Sequence, residues 1–141
     1  MNEIKGFFED FRFLSNFWYA DVVFEGVTYR STEVAYQAAK SLDLDERKKF
    51  VGLTSGQAKR LGQKIQLRED WDFIRLQVMY DICKDKFTRH ADLKELLLLT
   101  GDAYLEETNT WNDTFWGVCA AVGENNLGKT LMKIREEILN A

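Results

Sequence analysis

Val22 and Phe24 alternate with their neighbours, Glu25-Gly26 interrupts, and Val27 and Tyr29 resume the alternation, which predicts two strands joined by a two-residue hairpin turn. The period then lengthens. Ser31 or Thr32 caps a helix running to about Ser41, with Glu33 in the first turn, where the helix dipole favours an anion. A short helix follows over Asp45 to Val51, and another, capped by Thr54 or Ser55, runs to about Gly62. The longest helical pattern spans about 69–88, with Trp71, Ile74, Val78, Ile82 and Phe87 near helical spacing.

Ala91 to Leu98 reads as helical and ends near Thr100-Gly101. Residues 103–106 suit a short strand, and 112–124 are irregular, rich in Gly, Trp and Asn. A last helix, about 126–140, sets Leu127, Leu131, Ile134 and Ile138 on one stripe. The sum is an α+β chain, mostly helical, with one small antiparallel sheet. Residues 6–20 stand apart for their density of aromatic side chains, from Phe7 to Tyr19.

Length and composition narrow the functional classes. With 141 residues, 45% of them hydrophobic and 13% aromatic, one self-sufficient core over 1–141 is expected. The net charge of −4 argues against nonspecific nucleic-acid binding as the main activity, because phosphate contacts call for basic surface. No apolar run, Leu96 to Leu99 included, approaches the roughly 20 residues that span a bilayer. Met1-Asn2-Glu3-Ile4-Lys5 lacks the regions of a signal peptide, so a cytosolic chain with reduced thiols is expected. Cys83 and Cys119 have no metal-ligand spacing, and His90 is the sole histidine, so neither a zinc site nor a Ser-His-Asp triad is expected. No cofactor is implied.

Acid–base work then falls to carboxylates. Glu33, Gln37 and Lys40, at i, i+4 and i+7, line one stripe of the first helix beside Tyr36, although a solvated face would look the same. The segment from Leu105 to Gly117 gathers Glu106, Glu107, Asn109, Asn112 and Asp113 with Trp111 and Trp116, suiting either a binding loop or a loop pinned by buried tryptophans. Gly123 to Thr130 formally matches the phosphate-binding GxxxxGK[ST] pattern at a helix start, though no hydrophobic strand in a βαβ context precedes it and a plain N-cap fits equally. Ser15 and Asn16 face a turn or a ligand, and Cys83 and His90 read as structural.

In order, these segments resemble the YbiA-like family, also called NADAR for its association with NAD and ADP-ribose metabolism. The resemblance rests on Leu14-Ser15-Asn16-Phe17; Ser31-Thr32-Glu33 with Tyr36, Gln37 and Lys40; Ala58 to Gly62; Trp71; Met79 with Lys86-Phe87; Leu97 to Gly101; Glu107 with Asn109; Asp113 with Phe115-Trp116-Gly117; and Asn125-x-Leu127-Gly128 with Leu131-Met132 and Arg135. Asn109 to Asn112 is longer than in some members. The resemblance covers nearly the whole chain and implies a single domain that hydrolyses N-glycosidic bonds. Its substrates would be ribosylamino-pyrimidine phosphates or ADP-ribosylated guanine, free or in nucleic acid. It implies Glu33 as the catalytic carboxylate, with Asp113 and Trp116 completing the site. Asn16, Tyr36, Gln37, Lys40, Glu107 and Asn125 would contact phosphate, ribose or base. Chemistry agrees on residue type, since an oxocarbenium-like cation wants a carboxylate and a base wants a flat ring.

Two other classes fit the same residues. One is a non-catalytic ADP-ribose or nucleotide-binding module, which would bind without turnover. The other is an interaction protein docking through its aromatic N-terminal segment. The glycosidase reading expects Glu33, Asp113 and Trp116 to meet around a sugar.

Overall fold

The structure, a computed structural model, describes residues 2–141, so Met1 of the N-terminal segment lies outside the described residues. In chain order the elements are β1 (Glu3–Lys5), a 3₁₀ helix (Glu9–Leu14), β2 (Tyr19–Phe24), β3 (Val27–Ser31), α1 (Thr32–Ala38), α2 (Leu44–Lys48), α3 (Ser55–Gly62), α4 (Trp71–Arg89), α5 (Ala91–Leu99), β4 (Tyr104–Glu106), β5 (Thr108–Asn109), β6 (Val118–Cys119) and α6 (Asn126–Leu139). They group into two units, a middle one of Asn16–Arg89 and a terminal one of Met1–Ser15 with His90–Ala141.

The middle unit begins with the expected hairpin. Phe24 pairs with Val27, and the tip residues Glu25 and Gly26 have φ of 47° and 83°, the positive values that suit the twist of a two-residue turn. Val22, Phe24 and Tyr29 enter the core with Met79, Ile82 and Phe87 of α4. Every residue of α1 is buried, since β2, β3, α3 and α4 all pack on it. The solvated-face alternative for Glu33 and Gln37 is thereby overturned. The helix is also shorter than its pattern suggested. Lys40 and Ser41 donate to carbonyls three residues back, on Gln37 and Ala38, a 3₁₀-type tightening that ends it.

The hairpin is the expected small antiparallel sheet, and the terminal unit adds two parallel pairs. The hairpin is the only antiparallel ladder among the described strands, and β1–β4 and β5–β6 are parallel. Parallel partners come from separate stretches of chain, so no local pattern announces them. Ile4 and Leu105, paired in register, join Leu97, Leu131 and Ile134 in the core. Buried Arg135 fastens α6 to the end of α5, donating to Thr100 Oγ1 and to the Ala103 carbonyl, each at 2.8 Å. Among the described residues no helix is long and apolar enough to cross a membrane.

Candidate functional site

The sequence-derived candidates fall into two groups, one in each unit. In the middle unit the start of α1 is fixed from two directions. Ser31 caps the helix by accepting the Val34 N–H at 3.3 Å, and the Glu33 N–H donates to the Asn16 carbonyl at 3.0 Å. Glu33 is thus held in the first turn with only 8% of its surface exposed. One turn on, Gln37 donates from Nε2 to Glu33 Oε1 at 3.0 Å. Tyr36 packs its ring 5.1 Å from that of Trp71 at 53°, and the Lys40 ammonium lies 5.8 Å from the Tyr36 ring centre.

Charge follows the same arrangement. Burial pushes the Lys40 ammonium below its usual range, the Glu33 carboxylate pulls it back up, and Lys59 of α3 adds to the lowering. A carboxylate, two ammonium groups and a pair of packed rings therefore share one side of the middle unit. Lys59, 5.8 Å from the Phe17 ring centre, and Trp71 were not singled out as site residues from sequence. Lys59 could have been found from its place on the capped helix α3. The Asn16 amide lies between Met79 Sδ at 3.6 Å and Cys83 Sγ at 4.0 Å.

In the terminal unit, Glu107, Asp113, Trp116 and Asn125 are brought together by a loop built on Asn109. Its buried amide donates to the Asp113 carbonyl at 2.9 Å and to Glu107 Oε2 at 3.1 Å, while its oxygen accepts from the Trp111 and Asp113 N–H groups. Asp113 Oδ1 in turn accepts the N–H groups of Phe115 and Trp116, at 3.2 and 2.9 Å, an Asx turn that sets the direction of the Trp116 indole. Phe115 meets that indole edge-on, ring centres 4.8 Å apart. Gly117 is required here by space, because a Cβ would strike Glu107 and Asn109. The Asn125 amide is engaged by the chain at both ends, accepting from Glu107 N and donating to Leu105 O and Tyr104 Oη.

The GxxxxGK[ST] match at Gly123–Thr130 does not form a phosphate cradle. The N–H groups of Glu124, Asn125, Asn126 and Leu127 donate to the carbonyls of Thr114, Gly117, Phe115 and Trp116. The donors a phosphate would need at the start of α6 are already satisfied by the loop. Among the described residues no group of three or more His, Cys, Asp or Glu is placed to hold a metal ion.

Comparison with known proteins gives the arrangement a family. The NADAR domain matches residues 5–139. An N-glycosidase of Nostoc punctiforme is 53% identical over 77 residues, 53% of this chain and 48% of that protein. A riboflavin biosynthesis protein of Vibrio vulnificus is 37% identical over 134 residues, 92% of this chain and 36% of that protein. The chain thus spans about half the length of the first relative and about a third of the second. N-glycosidase YbiA of Escherichia coli is 36% identical over 134 residues, covering 92% of this chain and 83% of that protein. The solution structure of E. coli YbiA superposes with a TM-score of 0.86 at 32% identity, covering 98% of this chain and 84% of that one. By domain match and shared fold alike, the chain belongs to the NADAR domain family.

Proposed function

We propose that the chain is an N-glycosidase that hydrolyses the bond between C1 of a ribose and a nitrogen of a base. The observation that carries the reading is Glu33, a carboxylate buried at a helix start and held there by a neighbouring amide donor. As the C1–N bond breaks, its electron pair leaves with the base nitrogen and C1 becomes cationic. A fixed carboxylate beside C1 stabilises that cation without reorganising. The same oxygen pair orients a water and takes its proton as the water oxygen bonds to C1, and the departing nitrogen gains a proton from solvent, to which Glu33 returns the one it took. One water is consumed, and the products are the free sugar and the base.

The other groups follow from their chemistry. Tyr36 supplies a ring and Lys40 a cation for the anionic part of a nucleotide substrate. In the terminal unit Trp116 offers an indole for stacking, Asp113 and Asn125 hold the loop that carries it, and Glu107 suits a sugar hydroxyl. Relatives named for N-glycosidase activity and for riboflavin biosynthesis support ribosylamino-pyrimidine phosphates as one substrate class. ADP-ribosylated guanosine is the second.

The test is incubation with each substrate class, followed by chromatography of the released base. Glu33→Gln keeps the shape and removes the charge, and a loss of about 10²–10³-fold in turnover is expected. Turnover equal to that of the parent chain would remove Glu33 from the role.

A further inference from the structure

We infer that Gln37, pinned by Gly62, is a positioning residue that orients the Glu33 carboxylate and does not itself bind substrate. The inference rests on the reading of Glu33 given above. Three observations converge on it.

The first is the bond itself. Gln37 Nε2 reaches Glu33 Oε1 at 3.0 Å, and the two side chains are among the few buried polar groups of the middle unit, at 5% and 8% exposure. An i, i+4 pair on a helix meets naturally, and burial makes its geometry persistent. The second is what the other end of the amide gives up. Gln37 Oε1 is buried with no hydrogen-bond partner. A buried acceptor left unsatisfied is costly, and amides normally turn to avoid it. Turning this one would place its oxygen against the Glu33 carboxylate, so the donor is kept on the acid at the expense of the acceptor.

The third is Gly62. It lies in the last turn of α3 with an ordinary φ, so no backbone conformation demands glycine there. Space demands it. A Cβ at Gly62 would collide with Gln37 Oε1 and stand 2.7 Å from Gln37 Cδ and 3.1 Å from its Cβ. The backbone of α3 therefore closes on the Gln37 amide and leaves it one place to go, along α1 onto Glu33. A side chain so enclosed has no approach for a substrate, which separates Gln37 from a ligand contact.

The experiment compares Gln37→Met, Gly62→Ala and the double variant with the parent chain. Turnover is followed on ribosylamino-pyrimidine phosphate and ADP-ribosylated guanosine, and thermal melting confirms folding. Gln37→Met is expected to lower kcat by about 10–100-fold with KM changed less than about threefold, because only the reacting carboxylate is disturbed. Gly62→Ala should shift kcat the same way, and the double variant should be no worse than Gln37→Met alone, since both act through one bond. Gly62→Ala removes no polar group and acts only by displacing the Gln37 amide, so it carries the test should Gln37→Met fail to fold. An effect confined to KM, full kcat in a folded Gln37→Met, or additive losses in the double variant would overturn the inference. A second arm needs no turnover. With Lys40 and Lys59 untouched, the Glu33 carboxylate followed by NMR should titrate at higher pH in Gln37→Met than in the parent chain, having lost a donor to its charged form. An unchanged midpoint counts against the inference even if the glycosidase reading holds. A raised one supports it even if that reading fails.

Discussion

The Ser31 hydroxyl donates to the Ser55 hydroxyl across 2.8 Å, and Ser55 passes its own proton on to the Phe17 carbonyl at 3.2 Å. The direction follows from the rest of the network, because the single Ser55 hydroxyl proton goes to the Phe17 carbonyl and the proton between the two serines is therefore Ser31's, while Ser31 Oγ accepts the Val34 N–H that caps α1. One relay thus ties the cap of α1 and the first residue of α3 to the turn before β2, and it fixes the start of the helix that carries Glu33. Ser55→Ala breaks the relay, taking away the acceptor of the Ser31 proton and a donor to the Phe17 carbonyl, which should cost about 1–3 kcal/mol. Urea unfolding is the measurement, and the midpoint should fall with the slope unchanged. A midpoint equal to that of the parent chain would mean that the relay contributes nothing.

Asp113 makes a sharper distinction testable. Its Oδ1 holds two backbone N–H groups of the loop that aims Trp116. Asn offers the same acceptor and Ala offers none. Asp113→Ala should therefore lose about 1–2 kcal/mol of stability and most of the turnover, while Asp113→Asn keeps both to within about 0.5 kcal/mol and a few-fold. Parallel melting curves and rates settle it. If Asn is as damaging as Ala to turnover but harmless to stability, the charge of Asp113 acts on the substrate and the loop-holding role is wrong.

How far could the chain be read before its structure was known? Elements whose signal is local were legible. Glu25-Gly26 marked its turn, Thr54 with Gln57 forms a full capping box, and Gly101, with φ of 63°, ends α5 where expected. The pairing of Ile4 with Leu105 was not legible, because parallel strands so distant in sequence leave no shared pattern. Neither was the burial of α1. Glu33 and Gln37 look like surface residues by type, and only the packing of β3, α3 and α4 makes them interior. Nor do the bonds of the Asn125 amide to three groups of its own chain show in the sequence, because their partners lie about 20 residues away. Side-chain type announces which chemistry is available, and tertiary packing decides which group is left to perform it.

Lys86 predicts a pH dependence of stability. It is 1% exposed on α4, and burial pushes its ammonium down from 10.5 to about 8, while burial pushes the neighbouring Cys83 thiol up to about 12. Below about 8 both the folded and the unfolded chain carry the Lys86 proton, so the cost of burying it is paid in full. Between about 8 and 10.5 the unfolded chain binds more protons than the folded one at this site, and stability rises with pH. Cys83 opposes this above its ordinary 9.0, where the unfolded thiol ionises and the folded one does not. The rise should therefore be clearest between pH 8 and 9. Lys86→Met should flatten it, read as urea midpoints across that window, and an equal slope in the variant would show that Lys86 is not its source.

The tip between β6 and the turn into α6 is a place where the sequence opposes its own backbone. Cys119 and Val122 exchange both N–H···O bonds, at 2.9 and 3.0 Å, which closes a two-residue turn on Ala120 and Ala121. Their φ angles are 50° and 65°, a region that crowds a Cβ against the following carbonyl. The turn geometry calls for Asn-Gly, and alanine has neither a side chain that bonds locally nor the freedom of glycine. Ala120→Asn with Ala121→Gly should therefore raise stability by about 1–2 kcal/mol, lifting the melting temperature by a few degrees. Both side chains are exposed and neither belongs to the clusters around Glu33 or Trp116, so turnover should hold. A melting temperature that stays put or falls would mean that the positive φ values carry no strain. A gain in stability with a fall in turnover would mean instead that the strained tip serves the loop that displays Trp116.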